Sequence, residues 1–183
     1  PELATPESPT QRVGGAPLSE FETVEHAVPM LSIDNTYNAA ELRAFDERVR
    51  KGIGGEKPRY VVELKIDGVA MSLRYEDGML IRAATRGDGV RGDNGTENSK
   101  TIQSVPLRLK DKPRPVLEVR GEVYMRHQEL ERLNRLREET GEAPLANVRN
   151  TTAGTLKLLD PKQVAKRHLD IVFYDIAPLE GVE

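Results

Sequence analysis

The chain has 183 residues, of which 31% are charged and 37% hydrophobic, enough for one domain with a hydrophobic core. It contains no cysteine, which excludes disulfides and thiolate metal sites, and no apolar run approaches the roughly 20 residues that a membrane-spanning helix needs. The sequence therefore predicts a cytoplasmic protein, and a net charge of −3 leaves local contacts with nucleic acid open.

The first part of the chain is predicted to be irregular. Residues 1–20 contain proline and glycine too often for a helix or a strand, and they resemble a linker that leaves an earlier domain. The domain itself is predicted over residues 21–183.

A helix is predicted after Asn38, which can cap its N-terminus together with Glu41. Leu42, Phe45 and Val49 share one face of this helix and are expected to pack in the core. Gly52 is the expected end of the helix.

Alternating residues then predict strands over 60–66, 69–75 and 79–85, the last two joined by an Asp77-Gly78 turn. The first of these strands places Lys65 at its end, on the same face as Glu63. A further strand over 116–123 is predicted to be half-buried, with a charged face.

Helices are predicted over 127–140, 152–158 and 161–167, with Asp160 as the cap of the last one. A final strand is predicted over 169–176. The expected class is α+β, with antiparallel-rich sheets and helices around them.

Lys65-Ile66-Asp67-Gly68 is the strongest candidate for chemistry, because it places a lysine beside a turn and an acid. A free lysine has a pKa of about 10.4, and an amine that acts as a nucleophile at neutral pH needs a value of roughly 7–8. Burial or neighbouring cations would have to lower it. A surface lysine that precedes a turn is the alternative interpretation.

Further polar candidates occur at turns and strand ends. Arg86, followed by Gly87 and Gly89, could reach a phosphate or a ribose, or it could be a solvated arginine at a hairpin tip. Glu122 could accept hydrogen bonds from ribose hydroxyls or from a magnesium-bound water, or it could face solvent. The three histidines lack the spacing of metal ligands and are interpreted as structural or surface residues.

Several motifs together resemble the adenylation domain of bacterial NAD-dependent DNA ligases. The resemblance rests on six stretches of the sequence: Lys65-Ile66-Asp67-Gly68, Arg86-Gly87-Asp88-Gly89, the strand 117–123, and the segments 5–14, 26–35 and 146–161. It implies an incomplete nucleotidyltransferase fold of the covalent ligase type, with an ATP-grasp-like architecture. ATP-dependent ligases share the lysine tetrad, whereas the other stretches are typical of the NAD-dependent branch.

The resemblance also implies functions for individual residues. Lys65 would form a covalent bond to AMP taken from NAD, with Asp67 supporting the nucleophile motif. Positions that bind the nucleotide would be Ser32, Ile33, Glu63, Arg86, Glu122 and Tyr174, where Tyr174 stacks on adenine or is an ordinary core tyrosine. Arg149 and Lys157 would contact DNA.

The implied protein is a magnesium-dependent ligase that seals nicks in double-stranded DNA during replication and repair, as a monomer at the bacterial nucleoid. Further domains, including a zinc module, would lie outside this chain, and the fragment alone is not expected to seal nicks. The sequence departs from the family pattern at Val148, at Thr151-Thr152 and at Lys157, where a lysine replaces an arginine. An ATP- or GTP-using polynucleotide ligase and a non-catalytic nucleotide- or DNA-binding module remain alternatives.

Overall fold

The computed structural model describes residues 5, 18, 20–110 and 114–177. The chain divides into two compact units, one of Leu31–Lys65 and one of Pro1–Met30 together with Ile66–Glu183. The described strands are β1 (Thr23–Glu25), β2 (Val69–Glu76), β3 (Met79–Thr85), β4 (Arg91–Asp93), β5 (Val116–Met125) and β6 (Leu169–Ile176). The described helices are α1 (Ala39–Gly52), α2 (Thr96–Lys100), α3 (His127–Glu139), α4 (Val148–Leu156) and α5 (Pro161–Ala165).

A four-stranded antiparallel sheet organises the larger unit, in the order β3-β2-β5-β6. The β2–β3 hairpin turns at Asp77 (φ 47°) and Gly78 (φ 80°), which are the left-handed conformations that a two-residue turn of type I′ requires. Strands β1 and β4 form a second, two-stranded antiparallel sheet. The predicted α+β class with antiparallel sheets is therefore confirmed.

One face of the four-stranded sheet forms the hydrophobic core. Met71 and Leu73 of β2, Val123 of β5 and Ile171 of β6 are buried in it. Leu156 of α4 packs against the same cluster, as do Leu130 and Leu133 of α3. Because alternate residues of a strand point to opposite faces, this core fixes a second face that carries the polar residues of β2 and β5.

The polar face of β5 is more deeply buried than predicted. Glu118 is only 2% exposed and Arg120 only 9%, so the expectation of a solvent-facing charged strand face is wrong for these two residues. The Ser72 hydroxyl donates a hydrogen bond to Glu118 Oε1 (2.7 Å), and Arg120 Nη2 donates one to the carbonyl oxygen of Val28 (2.7 Å). A strand pattern shows which residues share a face, but not which distant segment covers that face.

In the smaller unit, the predicted helix forms with its predicted cap. The Asn38 side chain accepts hydrogen bonds from the backbone of Ala40 and Glu41, and Glu41 accepts one from the Tyr37 N–H (2.6 Å). The apolar stripe, however, is not core, because no residue of α1 is buried and Leu42 is 56% exposed.

The strand predicted over 60–66 is wrong, because these residues belong to no strand of the structure. Val61, Val62 and Leu64 are between 85% and 93% exposed, and no strand among the described residues pairs with this segment. Alternation indicates a strand only where a partner backbone supplies hydrogen bonds. The rigid element that was predicted to carry Lys65 is therefore absent from the described part of the chain.

Elsewhere the boundaries agree more closely. The strand over 169–176 and the helices that begin at His127 and Pro161 form as predicted, whereas α4 begins at Val148 and not at residue 152. The sequence interpretation missed β1, β4 and α2, which have only 3 to 5 residues each. None of the described helices is long and apolar enough to span a membrane.

Candidate active site and DNA-contact residues

Four of the predicted site residues lie in the smaller unit. Ser32, Ile33, Glu63 and Lys65 are all exposed, and none of them belongs to a helix or a strand. They are therefore open to a ligand on the surface of this unit.

Gly68, the last residue of the lysine motif, is pressed against β5 of the larger unit. Its backbone N–H donates a hydrogen bond to Glu122 Oε1 (3.2 Å). A Cβ atom at this position would lie 2.0 Å from the carbonyl oxygen of Val123, a distance that no side chain can adopt. The turn after the lysine can therefore approach Glu122 only because residue 68 is glycine.

The sheet is irregular at Tyr174 of β6. The pairing of β5 with β6 shifts between Arg120 and Gly121, where Arg120 faces Asp175 and Gly121 faces Phe173, so that Tyr174 is an additional residue between them. Tyr174 is 50% exposed, so its interpretation as an ordinary core tyrosine is wrong.

The electrostatics of the Tyr174 phenol show which groups surround it. Partial burial raises its pKa, and the negative charge of Glu122 raises it further. Arg120 and Arg86 act in the opposite direction. Two further residues predicted to bind the nucleotide, Arg86 and Glu122, thus lie near enough to act electrostatically on the Tyr174 phenol.

The Arg86 turn has a rigid backbone. Gly87 (φ 56°) and Gly89 (φ 99°) adopt left-handed conformations, and a Cβ atom on Gly87 would lie 1.8 Å from the carbonyl oxygen of Arg91. Asp88 Oδ1 accepts hydrogen bonds from the N–H groups of Val90 and Arg91, which lower the pKa of the Asp88 carboxyl group. The Arg86 side chain is exposed, at the edge of this fixed loop.

His26 anchors the same turn and was not recognised as a site-supporting residue. It is 8% exposed, in agreement with its interpretation as structural, and its Nε2 lies 3.1 Å from the Thr85 oxygen and 3.2 Å from the Arg86 oxygen. Two carbonyl acceptors require a hydrogen on this nitrogen. No local pattern indicated this contact, because 60 positions separate His26 from Arg86.

Arg120 belongs to the polar strand-end site that the sequence predicts around Glu122, although the sequence assigned no separate role to it. Besides its hydrogen bond to Val28, its Nη1 lies 3.9 Å from Asp175 Oδ2, and its buried Nε has no hydrogen-bond partner among the described residues. The alternation of β5 did place Arg120 on the same face as Glu122, and this was the available signal.

Asp67 and Arg149 form an ion pair in the larger unit. Arg149 Nη1 lies 3.6 Å from Asp67 Oδ1, and both side chains are mostly exposed, so that water screens the pair. The acid of the lysine motif thus meets an arginine that was predicted to contact DNA.

Arg149 and Lys157 lie at opposite ends of α4. Asn147 caps the helix by accepting a hydrogen bond from the Asn150 N–H (2.8 Å), and Lys157 is the residue at its C-terminal end. Both basic side chains are exposed.

The described residues contain no group of three or more histidine, cysteine, aspartate or glutamate side chains that could hold a metal ion. A dedicated cage of protein ligands is thus not formed in the described part of the chain.

Comparison with known proteins gives one consistent family. A sequence model described as "NAD-dependent DNA ligase adenylation domain" matches residues 18–183. The chain is 60% identical to a DNA ligase of Fervidobacterium nodosum over 177 residues, covering 96% of this chain and 25% of that protein. A DNA ligase of Rubrobacter xylanophilus is 55% identical over 186 residues, covering 100% of this chain and 27% of that protein. The chain therefore spans about a quarter of the length of these relatives.

Proposed function

Since this chain belongs to the family of NAD-dependent DNA ligase adenylation domains, we propose that Lys65 accepts the adenylyl group of NAD. The lone pair of the Lys65 amine attacks the α-phosphorus, a phosphorus–nitrogen bond forms, and the bond to the nicotinamide mononucleotide oxygen breaks. The amine proton is lost to solvent. AMP then passes to the 5′-phosphate at a nick, and the adjacent 3′-hydroxyl displaces AMP to close the strand.

The observation that carries this proposal is the hydrogen bond from the Gly68 N–H to Glu122. It places the turn at Gly68 beside Glu122, and Glu122 and Arg86 both act electrostatically on the Tyr174 phenol. An aromatic ring, a carboxylate and a guanidinium are the groups that would stack on adenine, accept from ribose hydroxyls and neutralise a phosphate. Ser32, Ile33 and Glu63 are further proposed contacts of the nucleotide, and Asp67 is proposed to support the nucleophile.

Nicked double-stranded DNA is the proposed partner of α4. Arg149 and Lys157 would bind phosphates, Arg149 by a bidentate contact and Lys157 as a point charge. The ion pair between Arg149 and Asp67 is exposed and therefore weak enough to exchange for a phosphate. The proposed protein acts as a monomer in the bacterial cytoplasm, at the nucleoid, in replication and repair.

Magnesium is proposed to arrive with the phosphates of the substrate. Mg²⁺ keeps several of its waters and commonly binds through one or two carboxylates plus substrate phosphates. The lack of a ligand cluster in the described residues does not fit an all-protein magnesium site. No zinc site is proposed for this chain.

The test is adenylation of the complete encoded protein, followed by intact mass measurement. Incubation with NAD should add one AMP, and Lys65→Ala should abolish the addition. Lys51→Ala, which removes another exposed lysine of the smaller unit, is the matched control and should leave it unchanged. Adenylation from ATP and not from NAD would indicate an ATP-dependent ligase, and no adenylation from either would indicate a non-catalytic binding module.

A further inference from the structure

Lys157 lies between two backbone carbonyl groups that are held by one buried side chain. The amide of Asn98 donates a hydrogen bond from Nδ2 to the Leu156 oxygen (2.9 Å) and a second one to the Leu158 oxygen (2.8 Å). The last carbonyl groups of a helix have no partner within the helix, so such contacts fix the conformation at which the helix ends. The backbone on both sides of Lys157 is thus attached to a single residue of α2.

Asn98 is itself firmly anchored. It is fully buried, and α2 is tied to β3 because the Ala83 N–H donates to Thr96 Oγ1 (2.9 Å) and the Gly95 N–H donates to the Ala83 oxygen (2.8 Å). The Asn98 backbone oxygen accepts from the Thr101 hydroxyl (2.7 Å). The end of α4 therefore shares the rigidity of the central sheet.

The two hydrogen bonds also define which way the Asn98 amide points. Both neighbouring groups are acceptors, so only the NH₂ end can face them, and Asn98 Oδ1 remains without a partner among the described residues. A buried polar atom without a partner is unfavourable. The amide orientation that leaves Oδ1 without a partner is the one that allows the two hydrogen bonds on either side of Lys157.

The Lys157 side chain is exposed, and no ion pair of the described residues involves it. A lysine side chain has four rotatable bonds and loses conformational entropy when its ammonium group is fixed on a phosphate. A backbone that is already immobile reduces the freedom that must be lost on binding.

We propose that Asn98 is a positioning residue for DNA binding, which acts by fixing the backbone of Lys157 so that its ammonium group meets a phosphate of nicked DNA. This inference rests on the proposed DNA contact of Lys157.

The experiment measures binding of nicked duplex DNA to the complete encoded protein between about 50 and 200 mM salt, the range over which phosphate contacts change affinity most. The variants are Lys157→Ala, Asn98→Ala and the double variant. Ser99→Ala is the matched control, because Ser99 is equally buried in α2 but its hydroxyl donates to Gly95 and not to α4. Lysyl-AMP formation from NAD and thermal unfolding are recorded for each protein.

A plot of log affinity against log salt concentration has a negative slope, and the loss of one phosphate contact lowers the magnitude of this slope by about one. We expect this decrease for Lys157→Ala and Asn98→Ala alike, with the double variant no weaker than either single variant and with lysyl-AMP formation retained. Ser99→Ala should keep the original slope. If Asn98→Ala does not fold, Asn98→Leu, which has a similar volume and no hydrogen-bond donor, takes its place.

The outcomes separate the two hypotheses. If Lys157→Ala lowers the slope but the Asn98 variant keeps it, or if their effects multiply, the inference about Asn98 is wrong while the DNA contact stands. If Lys157→Ala itself leaves the slope unchanged, the proposed DNA contact is wrong, and the role of Asn98 falls with it.

Discussion

Two glycines of the larger unit have opposite relations to their surroundings. Gly68 leaves no space for a side chain, because a Cβ atom there would lie 2.0 Å from the Val123 oxygen and 3.1 Å from Glu122 Cγ. Gly154, which is exposed within α4, has nothing within 4 Å of the position of a Cβ atom. The first glycine permits a close approach of two backbones, whereas the second only lowers helix stability.

Replacement by alanine should therefore change the free energy of unfolding in opposite directions at the two positions. Gly68→Ala must displace the lysine motif from β5, so we expect the free energy of unfolding to fall by more than about 1 kcal/mol. We also expect the hydrogen bond to Glu122 to be lost and lysyl-AMP formation to slow. Gly154→Ala should raise the free energy of unfolding by about 0.5–1 kcal/mol.

Denaturant titration of both variants, with intact mass measurement of adenylation, checks this prediction. Unaltered stability and adenylation in Gly68→Ala would show that the approach of the motif to β5 is not needed. Gly154→Ala serves as the control for the substitution itself.

At the scale of elements, the structures predicted correctly were those that depend on residues close together in the sequence. The Asp77-Gly78 hairpin and the cap of α1 depend on residues within a few positions of each other, and both formed as predicted. The segment 60–66 has the alternation of a strand but no partner strand in the described structure, and pairing is a non-local property.

The same distinction applies to the site. Residue types and spacing predicted Arg86 and Glu122 as site residues, the family resemblance added Tyr174, and the structure places Arg86 and Glu122 near enough to act electrostatically on the Tyr174 phenol. Residue types and spacing did not indicate the partners of His26 and Arg120, because these partners lie 60 and 92 positions away in the chain. A sequence pattern shows which hydrogen bonds a side chain can form, but not which distant backbone group it contacts in the fold.

A buried carboxylate joins α3 to the segment that precedes β6. Glu129 is 8% exposed and accepts hydrogen bonds from Arg132 Nη2 (2.6 Å) and from the His168 N–H (3.1 Å). Burial alone would raise the pKa of Glu129, but the hydrogen bonds of Arg132 and His168 outweigh it and hold the pKa below its ordinary value of 4.5. The ionised form of Glu129 is thus the form that stabilises the fold.

The direction of the pH effect follows from this lowered pKa. Glu129 contributes its full stability above the pKa of the unfolded chain, near 4.5, and loses it as the pH falls through the lower pKa of the folded state. Glu129→Gln should lower the free energy of unfolding at neutral pH by about 1–3 kcal/mol. The same variant should lose less stability than the original chain when the pH decreases from about 6 to about 3.

Denaturant unfolding at a series of pH values measures both effects. Glu131→Gln, on an exposed position of the same helix, is the control and should follow the original chain. Equal acid sensitivity of Glu129→Gln and the original chain would contradict the stabilising role of the ionised carboxylate.

At the scale of the whole molecule, burial is divided unequally between the two units. The larger unit contains the core cluster, in which Met71, Leu73 and Val123 are fully buried. The smaller unit contains α1, a helix of 14 residues with no buried residue. Its side-chain contacts include Phe45 with Tyr60 (6.1 Å between ring centroids) and Tyr60 with Asp46 (2.8 Å). Helices of this length are marginal in water unless tertiary packing supports them.

Hydrogen–deuterium exchange of the chain should reveal this inequality. Backbone amides of α1 should exchange through local opening, whereas amides in the centre of β5 should require disruption of the core. We expect exchange in α1 to be faster by more than about tenfold, which corresponds to about 1.4 kcal/mol of opening free energy. Asn38→Ala, which removes the cap of α1, should increase exchange in α1 by about fivefold, the equivalent of about 1 kcal/mol, and leave β5 unchanged. Equal protection of α1 and β5, or an effect of Asn38→Ala that extends to β5, would show that the two units open together, because local opening of α1 cannot by itself expose amides within the core sheet.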